Sequence, residues 1–166
     1  MAPDPEQQDL RDDYLAHLRA HPDGWSRSCP GAHLTASSII CAPADRLVLL
    51  TLHARIGRWL QTGGHLEAED VDLEAAALRE ATEESGLTGL RLDPTPLLLS
   101  RHEVVCGPVR PTYHLDVQYL VRAGSASTPT FGAESHDVQW FPLSHLPDVD
   151  QSVLALVAAA STRLGW

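Results

Sequence analysis

The segment Arg79-Glu80-Ala81-Thr82-Glu83-Glu84-Ser85-Gly86-Leu87 constrains this chain more than any other. It sets glutamates at i, i+3 and i+4 and then halts at a glycine. That spacing is helical, because side chains three and four apart share one face. Upstream, Asp70 can cap the helix, with Asp72 and Glu74 suited to the positive end of its dipole. Gly86 supplies a left-handed stop. A helix of about 14 residues, or roughly 20 Å, results.

At about 100° per residue, Glu80, Glu83 and Glu84 fall within about 100° of one another. Leu73, Ala76 and Ala77 lie on the same side one and two turns earlier, while Ala75 and Leu78 lie on the other. The carboxylates therefore continue a packing stripe. Two carboxylates about 5 Å apart repel by about 3 kcal/mol at an effective dielectric of 20. Arg79 can reach Glu83 at i+4, in the weaker orientation for a helical ion pair. One arginine does not neutralise three acids, whereas a divalent cation does. Oxygen ligands in this number suit Mg²⁺ or Mn²⁺, which keep several waters and take phosphate oxygens as further ligands.

The rest of the chain says what kind of molecule carries this helix. Its 166 residues predict one domain, 1–166, with a core of its own. The formal net charge of -10 repels nucleic-acid phosphates, so no nucleic-acid partner is expected. It would also repel a small polyphosphate, unless a cation stands between the two. Cys29, Cys41 and Cys106 are scattered and odd in number, which predicts free thiols in a reducing compartment. The first 14 residues are acidic and polar, unlike a signal peptide, and the apolar run Val153 to Ala160 is too short to span a bilayer. A cytoplasmic protein without a membrane partner is the expectation.

Asp4-Pro5-Glu6 opens a helix over about residues 5–20, with Leu10, Tyr14 and Leu18 on one face. Strands are predicted over 34–41 and 46–53, joined by a turn at 42–45. A short strand over 59–62 leads into Gly63-Gly64. Further strands are predicted over 97–105, 113–121 and 138–141, with a loop over 124–132 and a closing helix over 150–164. Strands and helices interleave without a regular βαβ alternation, which fits a mixed sheet covered by helices on both faces.

From Gly64 to Leu87 the chain resembles the Nudix box, a glycine-led loop and helix ending in R-E-apolar-x-E-E-x-G-apolar. Residues 79–87 match at every specified position. Gly63-Gly64-His65-Leu66-Glu67 and Ala76-Ala77-Leu78 match the usual surroundings, and Gln139-Trp140-Phe141-Pro142-Leu143 resembles a late strand and turn of that fold. Two departures stand out. Asp70 holds a position where the family has glutamate, but the gap to Arg79 is one residue longer, so no metal role is assigned to Asp70. Thr62 stands where proline is frequent, which predicts a less rigid approach to the loop.

The resemblance implies an α/β fold, an α/β/α sandwich with a mixed sheet, and a divalent-metal-dependent hydrolase of phosphoanhydrides. Its substrate would be a small phosphorylated molecule, such as a nucleoside diphosphate linked to another moiety. Glu80, Glu83 and Glu84 would be metal ligands, joined by the Gly64 carbonyl, with Arg79 holding a glutamate in place. Water attack on a P–O–P linkage builds charge on oxygen, and divalent ions neutralise that charge and acidify bound water. The general base is Glu83 or Glu84 on the helix, or Glu134 on a later loop. Dimers are common in the family, so a homodimer is the assembly that the resemblance allows. The alternative is a Nudix-like module that senses a nucleotide without cleaving it.

Other polar residues are weighed beside the box. His65 follows the loop glycine and is a candidate substrate contact. His114 and Asp116 alternate on a strand and share a face, with Gln118 beyond, so they either line a substrate cleft or face solvent. The nine histidines show no HExxH and no zinc spacing. Trp59 and Trp140 read as core residues, with stacking on a base as the alternative.

Overall fold

A computed structural model describes residues 4–105, 109–132 and 135–166. Helix α1 runs Pro5–Ala20, with the Asp4 side chain accepting from Glu6 N–H as its cap. Strands β1 (Ala32–Ala42) and β2 (Leu47–His53) follow, then the short strands β3 (Trp59–Leu60) and β4 (Thr62–His65). Helix α2 spans Leu73–Ser85. Strands β5 (Arg91–Val104), β6 (Thr112–Arg122) and β7 (Ser135–Pro142) lead to helix α3 (Gln151–Leu164).

All seven strands join one sheet, in the order β3-β2-β1-β6-β5, with β4 added to β1 and β7 to β2. β1 and β6 run parallel in register from Ala32 opposite Tyr113 to Cys41 opposite Arg122, and the remaining pairs are antiparallel. The sheet is therefore mixed, as the sequence predicts. Two differences from the sequence reading have plain causes. β5 begins at Arg91, six residues before the predicted strand, because Arg91–Asp93 pair with β6 ahead of a register shift between Asp93 and Leu98. Pro94 and Pro96 sit in that interval, and neither has an N–H to give to a ladder. β7 likewise begins at Ser135, because its first residues pair with β2 across a bulge at Leu52/His53.

Alternation along β1 sorts the core into layers. Ile39 and Cys41 pack with Leu120 and with Val153, Leu156, Val157 and Ala160 of α3. Leu34 and Ala36 face the other way, onto Ala76 and Ala77 of α2, where Tyr14 of α1 joins them. Ile40 and Leu49 meet Ala81 on that same side. Helices thus cover both faces. The α3 side carries a second, polar stretch: His33, Thr35 and Ser37 continue the row that Ile39 and Cys41 begin, and all three are buried. Cys29 and Cys41 are free and buried, and Cys106 lies outside the described residues.

Candidate active site

Helix α2 is capped by Asp72, whose Oδ1 accepts from Ala75 N–H at 2.7 Å. The sequence reading gave that role to Asp70, which the structure commits elsewhere. Both Asp70 oxygens receive Arg79, from Nε at 3.1 Å and from Nη2 at 2.9 Å. Asp70 Oδ2 also accepts Glu67 N–H, closing the loop ahead of the helix. Arg79 holds the Asp70 carboxyl below its ordinary pKa, and Asp70 in turn raises that of Arg79.

Arg79 does more than the predicted i+4 pair. Nη1 donates to Glu80 Oε1 at 2.9 Å and to Glu83 Oε2 at 3.4 Å, and Nη2 donates to the His65 carbonyl at 3.0 Å. One guanidinium thus spans the helix, the loop and β4. Its charge is shared among several carboxylates, which leaves the glutamates less neutralised than a simple pair would.

The three glutamates differ in setting. Glu80 lies beneath Gly64: a methyl group built there would stand 2.5 Å from Glu80 Oε1. Glu84 is held from the sheet, with Oε1 accepting Gly63 N–H at 2.9 Å and Oε2 accepting the Thr51 hydroxyl at 3.4 Å. Glu83 stands at the rim, its side chain 61% exposed. This differs from an inward position for all three, because the buried stripe of α2 runs through Ala76, Ala77, Ala81 and Ser85 and leaves Glu83 at its edge. All three glutamates, with Glu67, Arg79, Gly132 and Ser135, line one cavity of about 320 Å³. A second cavity of about 440 Å³, bordered by Trp25, Leu66, Val71 and Leu73, shares Glu67 with it.

The approach to the loop is fixed despite the missing proline. Thr62 is buried, and its hydroxyl reaches the Ser38 carbonyl at 2.9 Å and the Ser38 hydroxyl at 3.0 Å. Gly63, at φ 155°, passes so close to β1 that a methyl group there would meet Ser37 Cβ at 2.3 Å. The donors converging here are carboxylate oxygens, and only a residue without a side chain lets Glu80 approach β4. That set suits a hard dication such as Mg²⁺ or Mn²⁺.

His65, His114 and Asp116 are not among the residues lining the acidic cavity. Gly64 faces α2, so the neighbouring side chain on β4, His65, points to the opposite face of the sheet. There its ring lies 5.1 Å from that of His33 and 4.9 Å from that of His114. Asp116 is 3% exposed and accepts from Thr35, Ser37 and Gln118 at 2.9, 2.6 and 3.0 Å. Burial pushes the His65 pKa down to about 4 and that of His114 down to about 3, with neighbouring imidazoles and Arg27 adding to the effect. Glu134 lies outside the described residues. Trp59 packs edge-on to Phe141 against the α3 core, and Trp140 packs against the cluster around Ile40 and Leu49 while its indole N–H donates to the Ser127 carbonyl. Sequence reading missed Thr51 and the Gly63 N–H as supports of Glu84; both come from strands distant in the chain.

The model of the NUDIX domain matches residues 31–159. The chain belongs to the NUDIX domain family. Among solved structures it is similar to a NUDIX-family hydrolase from Clostridium perfringens (TM-score 0.63, 22% identity, covering 80% of this chain and 96% of that one). It is equally similar to the NUDIX domain of Shewanella oneidensis NrtR complexed with ADP ribose (TM-score 0.63, 22% identity, covering 92% and 97%). A C. elegans Ap4A hydrolase gives a TM-score of 0.61 at 17% identity, covering 80% and 97%. At these identities the likeness establishes a shared NUDIX fold. A search of curated proteins returns no match. Among the described residues, no helix is long and apolar enough to cross a membrane.

Proposed function

We propose that this NUDIX chain is a divalent-metal-dependent hydrolase of a phosphoanhydride, acting on a nucleoside diphosphate linked to another moiety or on a similar small phosphorylated molecule. The observation that carries the reading is the convergence of Glu80, Glu83 and Glu84 on one cavity, with Arg79 shared among them and Asp70. Glu80, Glu83, Glu84 and the Gly64 carbonyl would hold Mg²⁺ or Mn²⁺. When bound, the dication supplies charge neutralisation for the phosphate oxygens and lowers the pKa of coordinated water.

The chain's own residues supply orientation. Arg79 fixes the Glu80 carboxylate, and the Gly63 N–H and Thr51 hydroxyl turn Glu84 toward the cavity. Glu83, at the rim, would accept a proton from the attacking water. Glu84 and Glu134 are the other candidates for the base. The adjoining cavity, with Trp25 at its edge, is open to the part of the substrate beyond the phosphates.

A panel led by ADP-ribose and Ap4A, the compounds associated with two of the structural neighbours, tests the reading in the presence of Mg²⁺ or Mn²⁺. We expect metal-dependent release of nucleotide. Glu84→Gln and Glu83→Gln should each lower kcat by about 10²–10³, the scale of a lost proton-transfer or charge-stabilising group, with unchanged circular dichroism. Unchanged turnover in both variants would remove the site assignment. Ligand-induced thermal stabilisation without any turnover would favour the sensing module instead.

A further inference from the structure

The histidines behind β4 form a site that the hydrolase reading does not use. His33 on β1 stands opposite His114 on β6, and His65 on β4 stands opposite Thr35, the next residue of the same β1 row. Three strands brought together by the sheet thus converge three imidazoles whose chain positions are 33, 65 and 114. Their ring centroids are 4.9 to 5.1 Å apart, and one nitrogen of each lies within 4.8 Å of one nitrogen of both others.

Packing alone does not account for this cluster. Nε2 of His114 and both nitrogens of His33 are buried with no well-formed hydrogen bond among the described residues, the Cys29 backbone interacting with His33 only weakly. His33 has no exposed surface at all. Buried ring nitrogens left without good partners in one spot are destabilising unless something else meets them. Each neutral imidazole offers a lone pair, and nitrogen donors of this kind suit late first-row dications.

We propose that His33, His65 and His114 form a second metal site, for Zn²⁺ or a closely related late first-row dication, on the face of β4 opposite the glutamates. Metal–nitrogen bonds of about 2.0–2.1 Å in a tetrahedral shell bring ligand nitrogens to about 3.3 Å from one another. Side-chain rotations that draw each ring inward by about 1 Å close the present gap. Three protein ligands leave a fourth position open. The positive charge of Arg27 reaches all three imidazoles and opposes a cation there, an opposition that an anionic fourth ligand would offset. His102, exposed and opposite His114 on β5, is the nearest further imidazole, at 5.5 Å between rings.

The test uses the full chain stripped with chelator and held in a large excess of Mg²⁺, so that oxygen-ligand sites are filled. Titration with Co²⁺ should give one saturable equivalent with the intense visible bands of a tetrahedral nitrogen site, and Zn²⁺ should bleach them. Uptake should weaken at least a hundredfold in His114→Gln and His65→Asn and survive in Glu84→Gln. Zn²⁺ should also raise the Tm of the parent chain and leave that of His65→Asn unmoved. If His114→Gln fails to fold, His65→Asn decides, since His65 is only partly buried. Only the pale spectrum of octahedral cobalt, or uptake lost in Glu84→Gln and kept in His65→Asn, would overturn the proposal. The Glu84→Gln arm separates this outcome from failure of the hydrolase reading.

Discussion

Two adjacent glycines, Gly63 and Gly64, serve different ends, and substitution should separate them. At Gly63 a methyl group would meet Ser37 Cβ at 2.3 Å and Cα at 2.6 Å, and the backbone sits at φ 155°. Neither obstacle is flexible, because strand β1 is central to the sheet. Gly63→Ala should therefore cost about 3 kcal/mol or more of stability, through overpacking and strain together. At Gly64 the obstacle is the Glu80 carboxylate, the far end of a side chain that can swing away. Gly64→Ala should leave the Tm nearly unchanged and yet raise the Mg²⁺ concentration needed for half-maximal turnover by tenfold or more. Urea melts set beside metal titrations distinguish the two. Equal loss of stability in both variants would mean that Glu80 is as immobile as the strand.

At the scale of the element, helix α2 owes its position to two aspartates with separate tasks. Asp72 satisfies the first turn, and Asp72→Ala should cost about 1 kcal/mol, as N-cap losses do, which in a chain of this size lowers Tm by about 2–4 °C. Asp70 ties the loop to Arg79, so Asp70→Asn should cost about 2 kcal/mol, the scale of a hydrogen bond to a charged group. The same substitution should also lower turnover, because Arg79 then loses the anchor from which it orients Glu80. Thermal melts of the two variants, each paired with an assay, read both effects. Sequence reading sees this helix well, because its logic is local: i, i+3 and i+4 acids, a glycine stop, alanines where the sheet comes near. It misassigns the cap because Asp70 and Asp72 are equally good oxygen acceptors, and only the long reach of Arg79 decides between them. The supports of Glu84 are hidden for the same reason, since Thr51 and Gly63 become neighbours of the helix only once the sheet has formed. The β5 bulge is foreshadowed by Pro94 and Pro96, but the pairing of Arg91–Asp93 beyond it is set by β6. The histidines are the extreme case: positions 33, 65 and 114 show no metal spacing along the chain and meet through the parallel register of β1 and β6 and the return of β4.

For the molecule as a whole, a largely aliphatic core that also encloses His33 and the part-buried His65 and His114 should respond to acid in a characteristic way. His114 faces His33, His65 and His102, and Arg27 adds a positive charge, so protonating it in the folded state is opposed from several elements. Burial, the largest cause, holds its pKa near 3 and also lowers that of His33. In the unfolded chain both return to about 6.5. Above that pH the two states bind the same number of protons at these positions, and stability is indifferent to them. Below it the unfolded chain takes up protons that the folded chain refuses, so stability falls as pH falls, from about 6.5 down to the depressed folded values. Chelator-treated protein should therefore lose Tm steeply between pH 7 and pH 5, and His114→Gln, which cannot titrate there, should lose less. A bound dication competes with protons for the same lone pairs, so Zn²⁺ should shift the onset of the loss to lower pH. Parallel slopes for the parent chain and His114→Gln without metal would mean that water reaches these imidazoles, and that their burial does not govern the acid limit of the fold.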